Sequence, residues 1–90
     1  MTRTRVRVRA HGLVQGVFFR AEARSRAESL GLAGWIANLP DGSIEAVLEG
    51  PEESVERVVR FLRTGPPRAE VRDLRVGAEE PEGLSGFEIR

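Results

Sequence analysis

The sequence predicts an α+β plait of the split βαβ, or ferredoxin-like, kind: an antiparallel sheet with two helices on one face. Three observations carry this. Apolar residues alternate with period two in several separate stretches, as strands with one buried face require. Two intervening stretches carry apolar residues at helical spacing instead. Turn signals at Gly31, Pro40-Asp41-Gly42 and Gly65-Pro66-Pro67 divide these stretches into the order βαββαβ, with a short strand added at the C-terminus.

Thr2 to Ala10 is the first strand, with Thr4, Val6, Val8 and Ala10 on one face and Arg3, Arg5, Arg7 and Arg9 on the other. The arginine row reads as a solvated sheet face, with Glu45 and Glu49 of a later strand as cross-strand partners; a nucleic-acid stripe is the competing reading. The single histidine, His11, falls at the strand's end as a turn residue. Phe19, Ala23, Ala27 and Leu30 then form one stripe of a helix that Gly31 stops. Leu32 to Leu39 is the second strand, with Trp35 assigned to the core, and Pro40-Asp41-Gly42 turns the chain into a third strand, Ser43 to Glu49.

Gly50-Pro51-Glu52-Glu53 opens a second helix, with proline in the first turn and two acids at the positive end of the helix dipole. Val55, Val58, Val59 and Leu62 are its buried stripe. Ala69 to Ala78 is the fourth strand; the offset of three from Val71 to Leu74 breaks its alternation and predicts a bulge or a late start. A polar loop, Glu79 to Ser85, leads to Gly86-Phe87-Glu88-Ile89-Arg90, a short strand with Phe87 and Ile89 inward.

Composition narrows the chemistry. At 90 residues the chain is read as a single domain, residues 1–90, and its 40% hydrophobic content is that of a globular protein. No apolar run approaches the roughly 20 residues that span a bilayer, and the N-terminus lacks the apolar core of a secretory signal, so a cytoplasmic location and no membrane partner are expected. The absence of cysteine removes thiolate catalysis, disulfides and cysteine zinc sites, and one histidine leaves little for a metal site or a Ser-His-Asp triad. All 14 cationic residues are arginine, which excludes lysine Schiff-base chemistry and a Walker-type lysine. A formal net charge of +0 argues against bulk nucleic acid as the main partner.

Gly12-Leu13-Val14-Gln15-Gly16-Val17-Phe18-Phe19-Arg20 joins the first strand to the first helix and has the parts of an anion cradle. Glycines let the backbone approach a ligand, a helix N-terminus offers unpaired N–H groups, and an arginine supplies a charged fork. The main chain of Gln15, Gly16, Val17, Phe18, Phe19 and Arg20 is the candidate phosphate loop. Asn38, near the end of the second strand, is on spacing alone either a cap for the Pro40-Asp41-Gly42 turn or a polar site residue.

The cradle resembles the first signature of the acylphosphatases, and Gly34-Trp35-Ile36-Ala37-Asn38-Leu39-Pro40-Asp41-Gly42 resembles their second. The likeness runs over essentially the whole chain, including Gly-Phe-Glu-Ile-Arg at the C-terminus; Ala37 departs from it, since many relatives carry a basic residue there. The resemblance implies hydrolysis of a carboxyl phosphate to carboxylate and inorganic phosphate, with Arg20 binding the phosphate and Asn38 holding the attacking water. Phosphoryl transfer is mostly a matter of positioning and charge stabilisation, which such residues can provide. The glycines Gly12 and Gly16 are assigned to backbone shape, and Phe18, Phe19 and Trp35 to packing. No cofactor and no metal are expected, because Glu45, Glu49, Glu52 and Glu53 show no ligand spacing. The expected partner is a small acyl phosphate, with the chain a monomer. The alternative is a non-catalytic anion- or RNA-binding plait using Arg3, Arg5, Arg7 and Arg9. Similar domains also open larger hydrogenase-maturation proteins; the lack of zinc-finger or carbamoyl-transfer regions before Arg90 favours the free-standing enzyme.

Overall fold

The computed structural model describes residues 2–90. The elements in chain order are β1 (Arg3–Leu13), α1 (Phe19–Ser29), β2 (Ala33–Asn38), β3 (Ile44–Pro51), α2 (Glu52–Thr64), β4 (Glu70–Glu79) and β5 (Phe87–Ile89). They build the expected plait around one five-stranded sheet, ordered β4-β1-β3-β2-β5.

Alternation decides the layers. Val6, Val8 and Ala10 of β1, Ile36 of β2, and Ile44, Ala46 and Leu48 of β3 pack with Phe19, Ala23 and Ala27 of α1 and Val55, Val58 and Leu62 of α2. Each fully buried large apolar side chain contributes about 1.5–3 kcal/mol relative to exposure. Phe19 is a strong anchor. Its ring lies 6.3 Å from that of Phe61 on α2, so the first residue of α1 is fixed to the core and the chain entering the helix is fixed with it.

β1 pairs antiparallel with β3 and β4, and β2 pairs antiparallel with β3. The terminal strand differs from this pattern: β5 runs parallel to β2, with Gly34 opposite Phe87 and Ile36 opposite Ile89. The reason lies in the connection. β4 and β5 stand at opposite edges of the sheet, so the intervening loop has to cross it, and it does so on the face away from the helices.

That crossing corrects the reading of the arginine row. Glu45 and Glu49 do pair with it: Arg7 and Arg9 meet Glu45 at 3.4 and 3.2 Å, and Arg3 and Arg5 both meet Glu49 at 3.4 Å. Arg5 is not solvated, however. The Arg5 side chain is 6% exposed and that of Glu49 is fully buried, beneath the loop from Glu79 to Gly86. Trp35 also belongs to this face and not to the core. In register with Val47 and Arg7, it is flanked by the guanidinium groups of Arg7 and Arg90, at 5.6 and 4.6 Å from the ring centre.

The anticipated bulge falls on β4. His11 faces Asp73 and Gly12 faces Val71, leaving Arg72 as the extra residue. Because the ladder resumes beyond it, β1 runs on to Leu13 and His11 is a strand residue, not a turn residue. Gly12 meets β4 here with φ 130°, and a methyl group in its place would collide with the carbonyl oxygen of Glu70.

Candidate active site

Between β1 and α1 the chain turns sharply within residues 14–18. Gly16 takes φ 71°, and no atom lies within 4 Å of where a β-carbon would stand. Phe18 follows with φ 63° and ψ 20°, a left-handed conformation that costs a non-glycine residue of the order of 1 kcal/mol or more. Phe18 is 74% exposed, so packing is not its role, whereas Phe19 is buried as expected. α1 then starts at Phe19, and the first main-chain bond into it runs from Glu22 N to Phe18 O. Among the described residues, the N–H groups of Gly16 through Ala21 donate to no protein acceptor. They are available to an anion, as helix N-termini allow.

Arg20 lies one position beyond the buried anchor. Its Nη1 donates to the main-chain oxygen of Arg90 at 3.2 Å. Arg90 is itself held by β2, its N–H donating to Ile36 O at 2.8 Å. The strand that the sequence places only as terminal thus reaches the cradle, and Ile89 joins its wall.

Asn38 ends β2 opposite Ile44, and its Oδ1 is buried with no hydrogen-bond partner among the described residues. The turn cap it could have been is supplied by Asp41, whose Oδ1 accepts from both the N–H and the hydroxyl of Ser43. These bonds lower the Asp41 pKa, the hydroxyl bond most. A buried amide oxygen without a partner is costly in an apolar setting and is the kind of group a site keeps for its ligand.

Gly16, Phe18, Phe19, Arg20 and Asn38 line one cleft of about 300 Å³, with Val14, Ala21 and Ile89 completing its wall. Two predicted loop residues stand back from it. Val17 packs against the core. The Gln15 side chain turns to the β2–β3 hairpin, where Nε2 donates to Leu39 O at 2.8 Å and Ser43 O at 3.0 Å. A wider cleft of about 560 Å³ lies on the open sheet face, but its Arg7 and Arg9 are engaged by Glu45 and Glu79. Among the described residues, no group of three or more His, Asp or Glu side chains is placed to hold a metal ion.

A plait with an arginine, an unpartnered amide and free helix N–H groups around one small cleft has the architecture of a small anion-handling domain. The chain belongs to the acylphosphatase family, whose model matches residues 6–89. It is 51% identical over 89 residues to an acylphosphatase of Haloquadratum walsbyi, across 99% of this chain and 96% of that one. The structure of an acylphosphatase from Coxiella burnetii matches with a TM-score of 0.93 at 39% identity, over 98% of this chain and 93% of that one. Full-length HypF in its phosphate- and nucleotide-bound form matches with a TM-score of 0.90 at 26% identity, over 99% of this chain and 12% of that protein. The family expected from the paired signatures is therefore the one found, and membership supports hydrolysis of acyl phosphates as the reaction. No helix among the described residues is long and apolar enough to cross a membrane.

Proposed function

We propose that the cleft between Gly16 and Asn38 hydrolyses acyl phosphates by direct, metal-independent attack of water on phosphorus. The observation that carries this reading is that Asn38, whose buried Oδ1 has no hydrogen-bond partner among the described residues, lines the same cleft as Arg20. Arg20 and the main-chain N–H groups of the 15–20 loop hold the phosphoryl oxygens. The Asn38 side-chain amide holds the water and sets its oxygen for in-line approach. The new bond joins the water oxygen to phosphorus, and the bond from phosphorus to the carboxyl oxygen breaks. The carboxylate leaves with that electron pair, and the water's proton passes to a phosphoryl oxygen. A carboxylate is a weak base and leaves without protonation, so no strong general base or Lewis acid is needed. Charge on the equatorial oxygens is met by the guanidinium and the helix N-terminus.

The working unit proposed is a monomer. The RNA-binding alternative has less support, because Arg3, Arg5, Arg7 and Arg9 are each engaged by a carboxylate. The deciding assay compares phosphate release from acetyl phosphate and from a phosphate monoester, with a chelator present. Cleavage of the first alone is expected. Equal cleavage of both would overturn the reaction class, and loss of activity restored by a divalent cation would overturn the metal-free mechanism.

A further inference from the structure

Glu49 is the most completely engaged side chain on the open face of the sheet. Its carboxylate accepts from the main-chain N–H groups of Glu82, Gly83 and Leu84 at 2.9, 2.8 and 2.9 Å, and from Arg3 and Arg5 at 3.4 Å each. All five partners are donors. Only a group that accepts without donating satisfies them together, and a carboxylate is the side chain that does so. The loop it holds has no ladder of its own and leads directly into β5, whose last bonds are Arg90 N–H to Ile36 O and Arg20 Nη1 to Arg90 O.

We infer that Glu49 is a positioning residue for Arg20, acting through the 82–84 segment and β5 on the main-chain oxygen that orients the guanidinium. The inference rests on the reading of Arg20 as the phosphate ligand. β5 is only three residues long and pairs on one side only, with β2, so its placement along β2 depends on what fixes the chain at either end. Gly86 O, accepting from Gly34 N–H at 2.9 Å, fixes the entry; Glu49 fixes the segment before it. Glu49 itself stays away from the substrate. Its effect is to determine where Arg90 O stands, and hence where the Arg20 fork points.

The test is a double-mutant cycle read on inhibition by inorganic phosphate. Glu49→Gln places an amide donor against five donors while keeping the side chain's size. It is expected to raise the phosphate inhibition constant about tenfold, a moderate misplacement of a positioned group. In an Arg20→Ala background the same change is expected to have no effect, since there is no fork left to orient. Equal weakening in both backgrounds would show a merely structural role and overturn the inference. So would unchanged phosphate inhibition in Glu49→Gln alone. If Arg20→Ala by itself leaves phosphate inhibition unchanged, the reading of Arg20 fails instead. Leu84→Pro removes one donor from the loop side without touching the buried carboxylate. It is expected to show the same dependence on Arg20 should Glu49→Gln fail to fold, and independence from Arg20 there counts equally against the inference.

Discussion

Gln15 Nε2 donates to Leu39 O at 2.8 Å, a bond that ties the cradle to the hairpin carrying Asn38. A second bond from the same nitrogen to Ser43 O, at 3.0 Å, closes the fork on the far side of the turn. The two halves of the site come from different strands, and this amide is a direct polar link between them. Gln15→Leu keeps most of the volume and leaves both carbonyl groups without that donor. A stability loss of about 1–3 kcal/mol is expected, together with a fall in turnover as the cradle and Asn38 lose their fixed spacing. Denaturant unfolding and steady-state kinetics measure the two separately. Lost stability with unchanged turnover would limit Gln15 to holding the fold.

Arg20→Ala removes the charged fork while Phe19 keeps the helix start anchored. Hydrolysis of a small acyl phosphate is expected to drop at least about a hundredfold, the scale of losing a preorganised transition-state donor. Arg20→Lys should recover little of it, because an ammonium cannot offer the planar fork. Near-normal activity in the alanine variant would remove Arg20 from the mechanism.

Asn38→Ala is the complementary case. It deletes the unpartnered Oδ1 but touches neither Arg20 nor the loop N–H groups. Turnover should fall while inhibition by inorganic phosphate is retained, since only the water has lost its holder. Loss of phosphate inhibition in step with turnover would mean that Asn38 contacts the phosphoryl group instead. Unchanged turnover would sink its role altogether.

Much of this was legible because the relevant physics is local. Period-two alternation placed Val6, Val8 and Ala10 inward, and the Val71-to-Leu74 offset announced a bulge or a late start, of which the structure has the bulge, at Arg72. The cradle could be read from its glycines and its arginine. What escaped the sequence depends on the path of a loop without pattern. Nothing in residues 80–86 announces that they cross the open face, yet that crossing buries Glu49 and sends β5 in parallel beside β2. Trp35 was misplaced for a related reason. Its large apolar ring suggests the core, but strand parity puts it with Arg7 and Arg90, where cation–π contact takes the place of burial. Phe18 likewise looks like a packing residue until the left-handed turn swings its ring to solvent.

The same buried carboxylate sets the behaviour of the fold in acid. Burial alone would raise the Glu49 pKa, but the N–H groups of Glu82, Leu84 and Gly83, with Arg3, overrule it and hold it at about 2 against an ordinary 4.5. Glu79 is also lowered, first by its bond from Arg7 and then by that from Arg5. A depressed folded-state value means that the unfolded chain binds protons more readily. The stability contributed by Glu49 is therefore present in full above its unfolded value of 4.5 and drains away as pH falls toward its folded value of about 2. Glu79 and Asp41 act in the same direction. Thermal unfolding midpoints should be nearly flat from about pH 7 to pH 5.5 and decline steeply below about pH 4.5. Glu49→Gln should start lower at neutral pH and show a shallower acid decline, because the group that titrates most strongly is gone. An acid limb of unchanged steepness in that variant would assign the acid sensitivity to the other carboxylates and leave Glu49 without its titrating role.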